Sequence, residues 1–274
     1  AQERLALAEE DLKLDHASAE AIEQRVRYGE ASPLEEARIS VEVATAKTAV
    51  GMAAGSLKEA RHALASTWGG TSADFQRAEG DYLDPPSLAE KEKLPQELKV
   101  NPSYRAREKE CDIAGNNYEL ARAEAVPDVE VGGGIQQFGE TDDHAFFLEV
   151  SIPLPIFDRN RGSIAEAQET LEKMRKEKEA ALLELQADLV TSVSRFESIE
   201  ESYLSLRDTI LPVSERVYES IQKGYQEGEQ DYLELVDAQR SLLEARKERL
   251  DLVAELWELR FEVDLLTGKF SRRD

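Results

Sequence analysis

Glu234 and Asp237 stand three residues apart, so on a helix both carboxylates share one face. Confined like charges raise the local cation concentration and respond to protons and divalent metals. Glu234 has a second explanation. It lies at N3 of a helix that Asp231 can cap, as Glu35 lies at N3 of a helix opened by Ser32-Pro33, and capping alone accounts for an acid there. Asp237 has no capping role, which makes it the stronger candidate for a charged lining. Tyr225 falls on an apolar seam just before Gly228. No catalytic constellation accompanies these residues. His16, His62 and His144 lie on different elements with no Cys or His at ligand spacing, and no nucleophile–base pair or phosphate-cradling glycine loop stands out. The sequence therefore predicts no enzyme, no resident metal and no cofactor. The single Cys111 excludes a disulfide framework and reads as a small buried hydrophobe on a helix seam.

These acids sit in a stretch that the chain contains twice. A shift of 199 positions takes Gly29-Glu30-Ala31-Ser32-Pro33-Leu34-Glu35 onto Gly228-Glu229-Gln230-Asp231-Tyr232-Leu233-Glu234, and Thr67-Trp68-Gly69 onto Leu266-Thr267-Gly268. Each copy reads as a turn at Gly29 or Gly228, then one long helix stopped by a glycine. The copies differ at one informative place, where Arg38 stands opposite Asp237. Composition agrees with long helices: a third of the residues are charged and aromatics are few. The formal charge of −23 disfavours nucleic acid and anionic lipid head groups as partners. No run of 18 apolar residues offers a transmembrane helix, although a membrane β-barrel leaves no such signal.

In chain order, residues 1–28 predict a helix with Leu5, Leu12, Ala19, Ile22 and Val26 on its apolar face. A second helix follows to residue 68, and residues 1–69 form the first-repeat segment. Residues 70–102, broken by Gly70, Gly80, Pro85-Pro86, Pro95 and Pro102, predict an ordered connection with a short helix near Ser87 to Lys93. Residues 103–126 return to helix, with Tyr104, Cys111, Ala114, Tyr118, Ala121 and Ala125 on its seam. At Pro127 the period changes to two. Val129, Val131, Gly133 and Ile135 alternate with polar or small residues, as do Phe146, Leu148, Val150 and Ile152 beyond a loop at Phe138 to His144. This β-hairpin, residues 127–157, fits equally a soluble pair packed on the helices and a pair from a membrane barrel. Residues 158–268 hold two long helices meeting at Gly228. In the first, Leu182 to Val217 keep 3-4 spacing, and Pro212 predicts a kink with the seam in phase across it. A basic tail, 269–274, closes the chain.

Long helix, tight turn and long helix, twice over, with a hairpin leading into the second copy, resemble the TolC-type outer-membrane efflux proteins. The most specific pieces are Ile152-Pro153-Leu154-Pro155-Ile156-Phe157-Asp158-Arg159-Asn160-Arg161-Gly162 and the Gly-x5-Glu-x2-Asp-Ala string from Gly228 to Ala238. The first of these is most similar to the heavy-metal branch, the cobalt–zinc–cadmium and copper–silver channels. The resemblance implies a mainly α fold, with coiled-coil helices forming a periplasmic tunnel and hairpin strands joining a trimeric barrel. It implies that 70–102 belong to an equatorial belt and that the Gly29 and Gly228 turns lie at the periplasmic tip. Glu234 and Asp237 would then ring the entrance, and Glu35 and Tyr225 would take part in contacts that hold the tip closed. The chain departs from a studied member at Gln230, where that member has a basic residue. The first hairpin and its leading helix would precede Ala1, so the sequence reads as N-terminally truncated. Implied partners are two further copies in a homotrimer, a periplasmic adaptor, an inner-membrane transporter of the resistance–nodulation–division (RND) type, and outer-membrane lipid. The implied function is passive export of metal ions from periplasm to exterior in a Gram-negative bacterium. Two alternatives remain open: a soluble periplasmic coiled-coil adaptor, and a protein-secretion channel of the same fold.

Overall fold

The computed structural model describes residues 1–80, 82–88, 90–138, 143–153 and 159–271. The chain divides into two compact units, Ala1–Leu88 with Val193–Phe261, and Ala89–Ser192 with Glu262–Asp274.

The first unit begins with α1 (Gln2–Arg27) and α2 (Pro33–Ser66). Gly29 adopts φ +74°, a left-handed conformation that costs glycine little, and the Glu30 amide donates to the Arg25 carbonyl at 2.8 Å. Ser32 then caps α2: its Oγ accepts from the Leu34 amide at 3.1 Å, and Glu35 reaches back to the Ser32 amide at 3.3 Å. The second copy repeats this construction between α6 (Leu211–Glu227) and α7 (Tyr232–Leu266). Gly228 has φ +78°, the Glu229 amide donates to Gly224, and Asp231 and Glu234 exchange capping bonds of 3.0 and 3.4 Å. Gly69 and Gly268 also share positive φ, at 81° and 70°. The 199-residue repeat is thus a repeat of backbone conformation as well as of sequence.

The connection after α2 is stitched to the first helix pair. The Gln2 amide group bonds both the carbonyl and the N–H of Ala78, at 3.2 and 2.8 Å, and Arg61 donates to the Gln76 carbonyl. The predicted helix near Ser87 to Lys93 instead forms later. It consists of 3₁₀ turns at Lys91–Lys93 and Leu98–Val100 flanking the single-turn α3 (Leu94–Glu97). Pro85-Pro86 bias the chain before them to extended backbone, while Pro95 is tolerated in a first helical turn.

In the second unit, α4 (Pro102–Ala123) packs against the start of α5 (Arg161–Ser205), with Gly115 facing Leu171 and Arg107 3.8 Å from Glu177. Asn160, at φ +55°, donates from Nδ2 to the Ala121 carbonyl at 2.9 Å, pinning the ends of both helices beside the hairpin. Cys111 is half-buried rather than buried; the seam is closed by Tyr104, Ala114 and Ala121. The hairpin itself pairs β1 (Glu130–Phe138) with β2 (Asp143–Ser151), antiparallel, in the register Val131↔Val150 and Ile135↔Phe146. Pairing reaches Phe138↔Asp143, so the strands extend into the predicted loop. Residues 139–142, and 154–158 of the proline turn, lie outside the described residues.

The expected in-phase seam across Pro212 does not occur. A π turn, Leu206–Ile210, precedes α6, closed by the Leu211 N–H on the Leu206 carbonyl. A π turn accommodates one extra residue and rotates the helix beyond it. Leu206 and Leu211 therefore face inward, while Ile210, Val213 and Val217 remain 45, 42 and 45% exposed. The widened turn also relieves the clash that Pro212 would impose on a regular helix.

Candidate functional site

The two glycine turns bring four helix ends into one cluster. Ile22 of α1, Ile39 of α2, Tyr225 of α6, and Tyr232 and Leu235 of α7 are all buried there, with Val26, Val43 and Ile221 packed around them. The exposed Gln230 side chain folds back on the last turn of α6, where a Cβ at Gly224 would come within 2.6 Å of its Cγ and would displace it. The Arg25 guanidinium of α1 lies over the Tyr225 ring at 4.5 Å from its centroid, and the Tyr225 and Tyr232 rings meet at 6.2 Å, tilted by 54°.

Electrostatics follow from this burial. Desolvation raises the Tyr225 hydroxyl above its ordinary value, and the nearby Arg25 offsets only part of the shift. Tyr232 is pushed up further, by burial first and then by the carboxylates of Glu42 and Asp15. Both phenols therefore stay neutral at any physiological pH. Among the described residues the Tyr232 hydroxyl has no hydrogen-bond partner, and the Tyr225 hydroxyl has the Arg25 guanidinium nearby without a well-aligned hydrogen bond, so each ring packs chiefly as an apolar wedge.

The residues singled out from sequence divide into three groups here. Tyr225 is in the cluster. Glu35 is half-buried and Glu234 exposed, and the carboxylates of both are turned back onto their own helix N-termini. Asp237 lies on the exposed side of α7, and its backbone carbonyl accepts from the Ser241 hydroxyl at 2.9 Å. Three participants were not anticipated from the sequence: Arg25, Asp15 and Gln239. Asp15 is buried on α1 at a position where a purely apolar face was expected, and Leu5 and Leu12 are only half-buried. The sole signal was spacing, since Ala8, Asp15 and Ile22 repeat every seven residues. Among the described residues, no group of three or more His, Cys, Asp or Glu could hold a metal ion.

Residues 94–268 match the family described as outer membrane efflux protein. The chain belongs to that family. The cobalt-zinc-cadmium resistance protein CzcC of Cupriavidus metallidurans is 31% identical over 269 residues, which is 98% of this chain and 64% of CzcC. The chain thus spans slightly under two thirds of that relative's length. Two solved structures share the fold. CusC aligns with TM-score 0.79 at 21% identity, over 97% of this chain and 64% of CusC. VceC of Vibrio cholerae aligns with TM-score 0.76 at 16% identity, over 97% of this chain and 65% of VceC. The mainly helical fold with one antiparallel hairpin is therefore the fold of TolC-like channels, as the outer membrane efflux protein resemblance implied.

Within this family fold the cluster acts as a cross-brace between the two copies of the repeat. Tyr225→Phe is expected to leave stability within about 0.5 kcal/mol, since it removes a hydroxyl that makes no well-aligned hydrogen bond. Tyr225→Ala should cost about 3–5 kcal/mol through the cavity it leaves. Arg25→Met should cost about 0.5–2 kcal/mol, the range for a cation–π contact between exposed and desolvated settings. Denaturant midpoints of the three variants test this order. A large loss in Tyr225→Phe would mean that the hydroxyl has a partner in solution.

Proposed function

We propose that the chain is a subunit of an outer-membrane export channel for metal ions, a passive conduit from periplasm to exterior. The observation that carries this reading is the bare apolar face of the hairpin. Val131, Ile135, Phe146, Leu148 and Val150 alternate onto one side and are 59–81% exposed, with Phe146 at 81% and Leu148 at 80%. In water such a two-stranded face has no stabilising burial, whereas lipid outside a closed barrel supplies it. No helix among the described residues is long and apolar enough to cross a membrane. Similarity to a cobalt-zinc-cadmium resistance protein supports metal ions as cargo.

In this reading three copies join their hairpins, residues 127–157, into a barrel in the outer membrane of a Gram-negative bacterium. The helices of 1–69, 103–126 and 158–268 form a tunnel in the periplasm, 70–102 contribute to its equatorial belt, and the Gly29 and Gly228 turns close its tip. An adaptor packs on the tip helices, and an inner-membrane transporter of the RND type supplies the energy. Asp237 lines the entrance as a ring of three carboxylates. Glu234, already engaged in capping, is the weaker member of that ring.

Chemical crosslinking of the full-length protein should give trimers. Asp237→Asn should abolish block of single-channel conductance by divalent cations in a lipid bilayer, because three confined charges become none. Unchanged block would remove the entrance ring and leave the fold intact.

A further inference from the structure

Asp15 is an unusual charge to find inside the first unit. It is 6% exposed, and the polar contact made by its carboxylate is one neutral amide, Gln239 Nε2, donating to Oδ1 at 2.8 Å. The same nitrogen also donates to Asp11 Oδ1 at 3.3 Å. Asp11 and Asp15 are four residues apart on α1, so two acids on one helix face share a single donor from α7. Among the described residues, no cation of the neighbouring helices is paired with either acid. From α2 comes Glu42, whose partner is Arg240 at 3.3 Å. From α7 comes Arg246, already paired with Glu10 at 3.0 Å and Glu215 at 3.5 Å. The phenols of Tyr218 on α6 and Tyr232 on α7 are both raised and stay neutral, and His16 is exposed on α1.

We propose that Asp11, Asp15 and Gln239 form a proton-operated clasp that holds α1 to α7 more tightly in mild acid than at neutral pH. A buried carboxylate with one neutral donor is stable as the acid and costly as the anion. Protonation removes the charge while the acyl oxygen of Asp15 still accepts from Gln239, so the interhelical bond survives. Asp15 accordingly titrates above its ordinary 3.8, chiefly through burial, with Asp11 and Glu42 adding to the shift and Gln239 and His16 opposing it. Linkage sets the sign: the folded form is favoured most below the ordinary value and loses that advantage as pH rises through the raised one. A clasp at this position loosens the helix pair that carries the entrance residues when the surroundings are neutral. That gating consequence rests on the tip assignment proposed above; the clasp itself does not.

Hydrogen exchange of the full-length channel in detergent tests the clasp directly. After correction for the chemical pH dependence, α1 amides around Asp15 should be most protected below the ordinary carboxylate value of 3.8 and should lose protection as pH rises to neutral, by about tenfold for each pKa unit by which the carboxyl is raised. Asp15→Asn, nearly isosteric, should flatten that dependence, and Asp11→Asn should move its midpoint to lower pH. A flat profile in the wild-type protein overturns the clasp, as does an Asp15→Asn variant that keeps the wild-type slope. Bilayer conductance separates the two readings. A pH-dependent clasp with pH-independent conductance removes the tip assignment and keeps the clasp. Flat exchange with divalent block still dependent on Asp237 does the reverse.

Discussion

Ile22→Ala is expected to lower the stability of the first unit by about 2–5 kcal/mol, the range for truncating a fully buried aliphatic side chain to alanine. Ile22 is 0% exposed, and its neighbours come from three other helices: Ile39 from α2, Tyr225 from α6, and Tyr232 and Leu235 from α7. Collapse into the vacated space would require those helices to shift together. α2 and α7 start at capping boxes and α6 ends at the Gly228 turn, so relaxation is limited and the cost should fall in the upper half of the range. Ile22→Val, removing one methylene, should cost only about 0.5–1.5 kcal/mol. Urea midpoints at constant slope give both values. An alanine variant no worse than a surface substitution would mean that the four-helix cluster does not form in solution.

Asn101→Asp should be nearly as damaging in the second unit, at about 2–4 kcal/mol near neutral pH, combining lost hydrogen bonds with a buried charge facing acceptors. Asn101 works in two directions at once. Its Oδ1 accepts from the Ser103 amide at 2.8 Å and hydroxyl at 2.6 Å, capping α4. Its Nδ2 donates to the carbonyls of Leu265 and Leu266 at 3.3 and 3.0 Å, at the end of α7, where the Leu265 carbonyl also accepts from the Gly268 amide at 3.1 Å. Aspartate keeps the first function and reverses the second, placing an anion against two carbonyl oxygens. Gly268 leaves little freedom to escape, since a Cβ there would already lie 3.0 Å from the Val100 carbonyl oxygen. Acid should partly rescue the variant, because a protonated carboxyl regains a donor. Thermal unfolding at two pH values checks both the size and the rescue, and Asn101→Ala, losing both functions, should show no such rescue.

Much of this protein was legible from local order. Gly29 and Gly228 announce left-handed turns, and Ser32-Pro33-Leu34-Glu35 and Asp231 to Glu234 announce helix starts, because these rules join residues at most five apart. The alternation at Val129 to Ile135 and at Phe146 to Ile152 likewise specifies strands, although pairing carried them past the loop boundaries that composition suggested. The candidate site was legible only where a residue's role is local. Glu35 and Glu234 were anticipated as caps and are found as caps.

What required the tertiary structure was the inward direction of each helix. The seam through Leu206 to Val217 looks continuous on paper. One extra residue in a π turn redirects it, and that turn answers to Pro212 and to the packing of Leu211 with Leu242 and Ala245. Asp15, on a helix whose pattern promised an apolar face, is buried because α7 supplies Gln239 from 224 residues away. Arg25 covers Tyr225 because two glycine turns, 199 residues apart in sequence, close against each other in space. Hydrogen-bonded turns depend on neighbours along the chain, and these could be read in order. Burial and charge depend on neighbours across it, and only the fold brings those together.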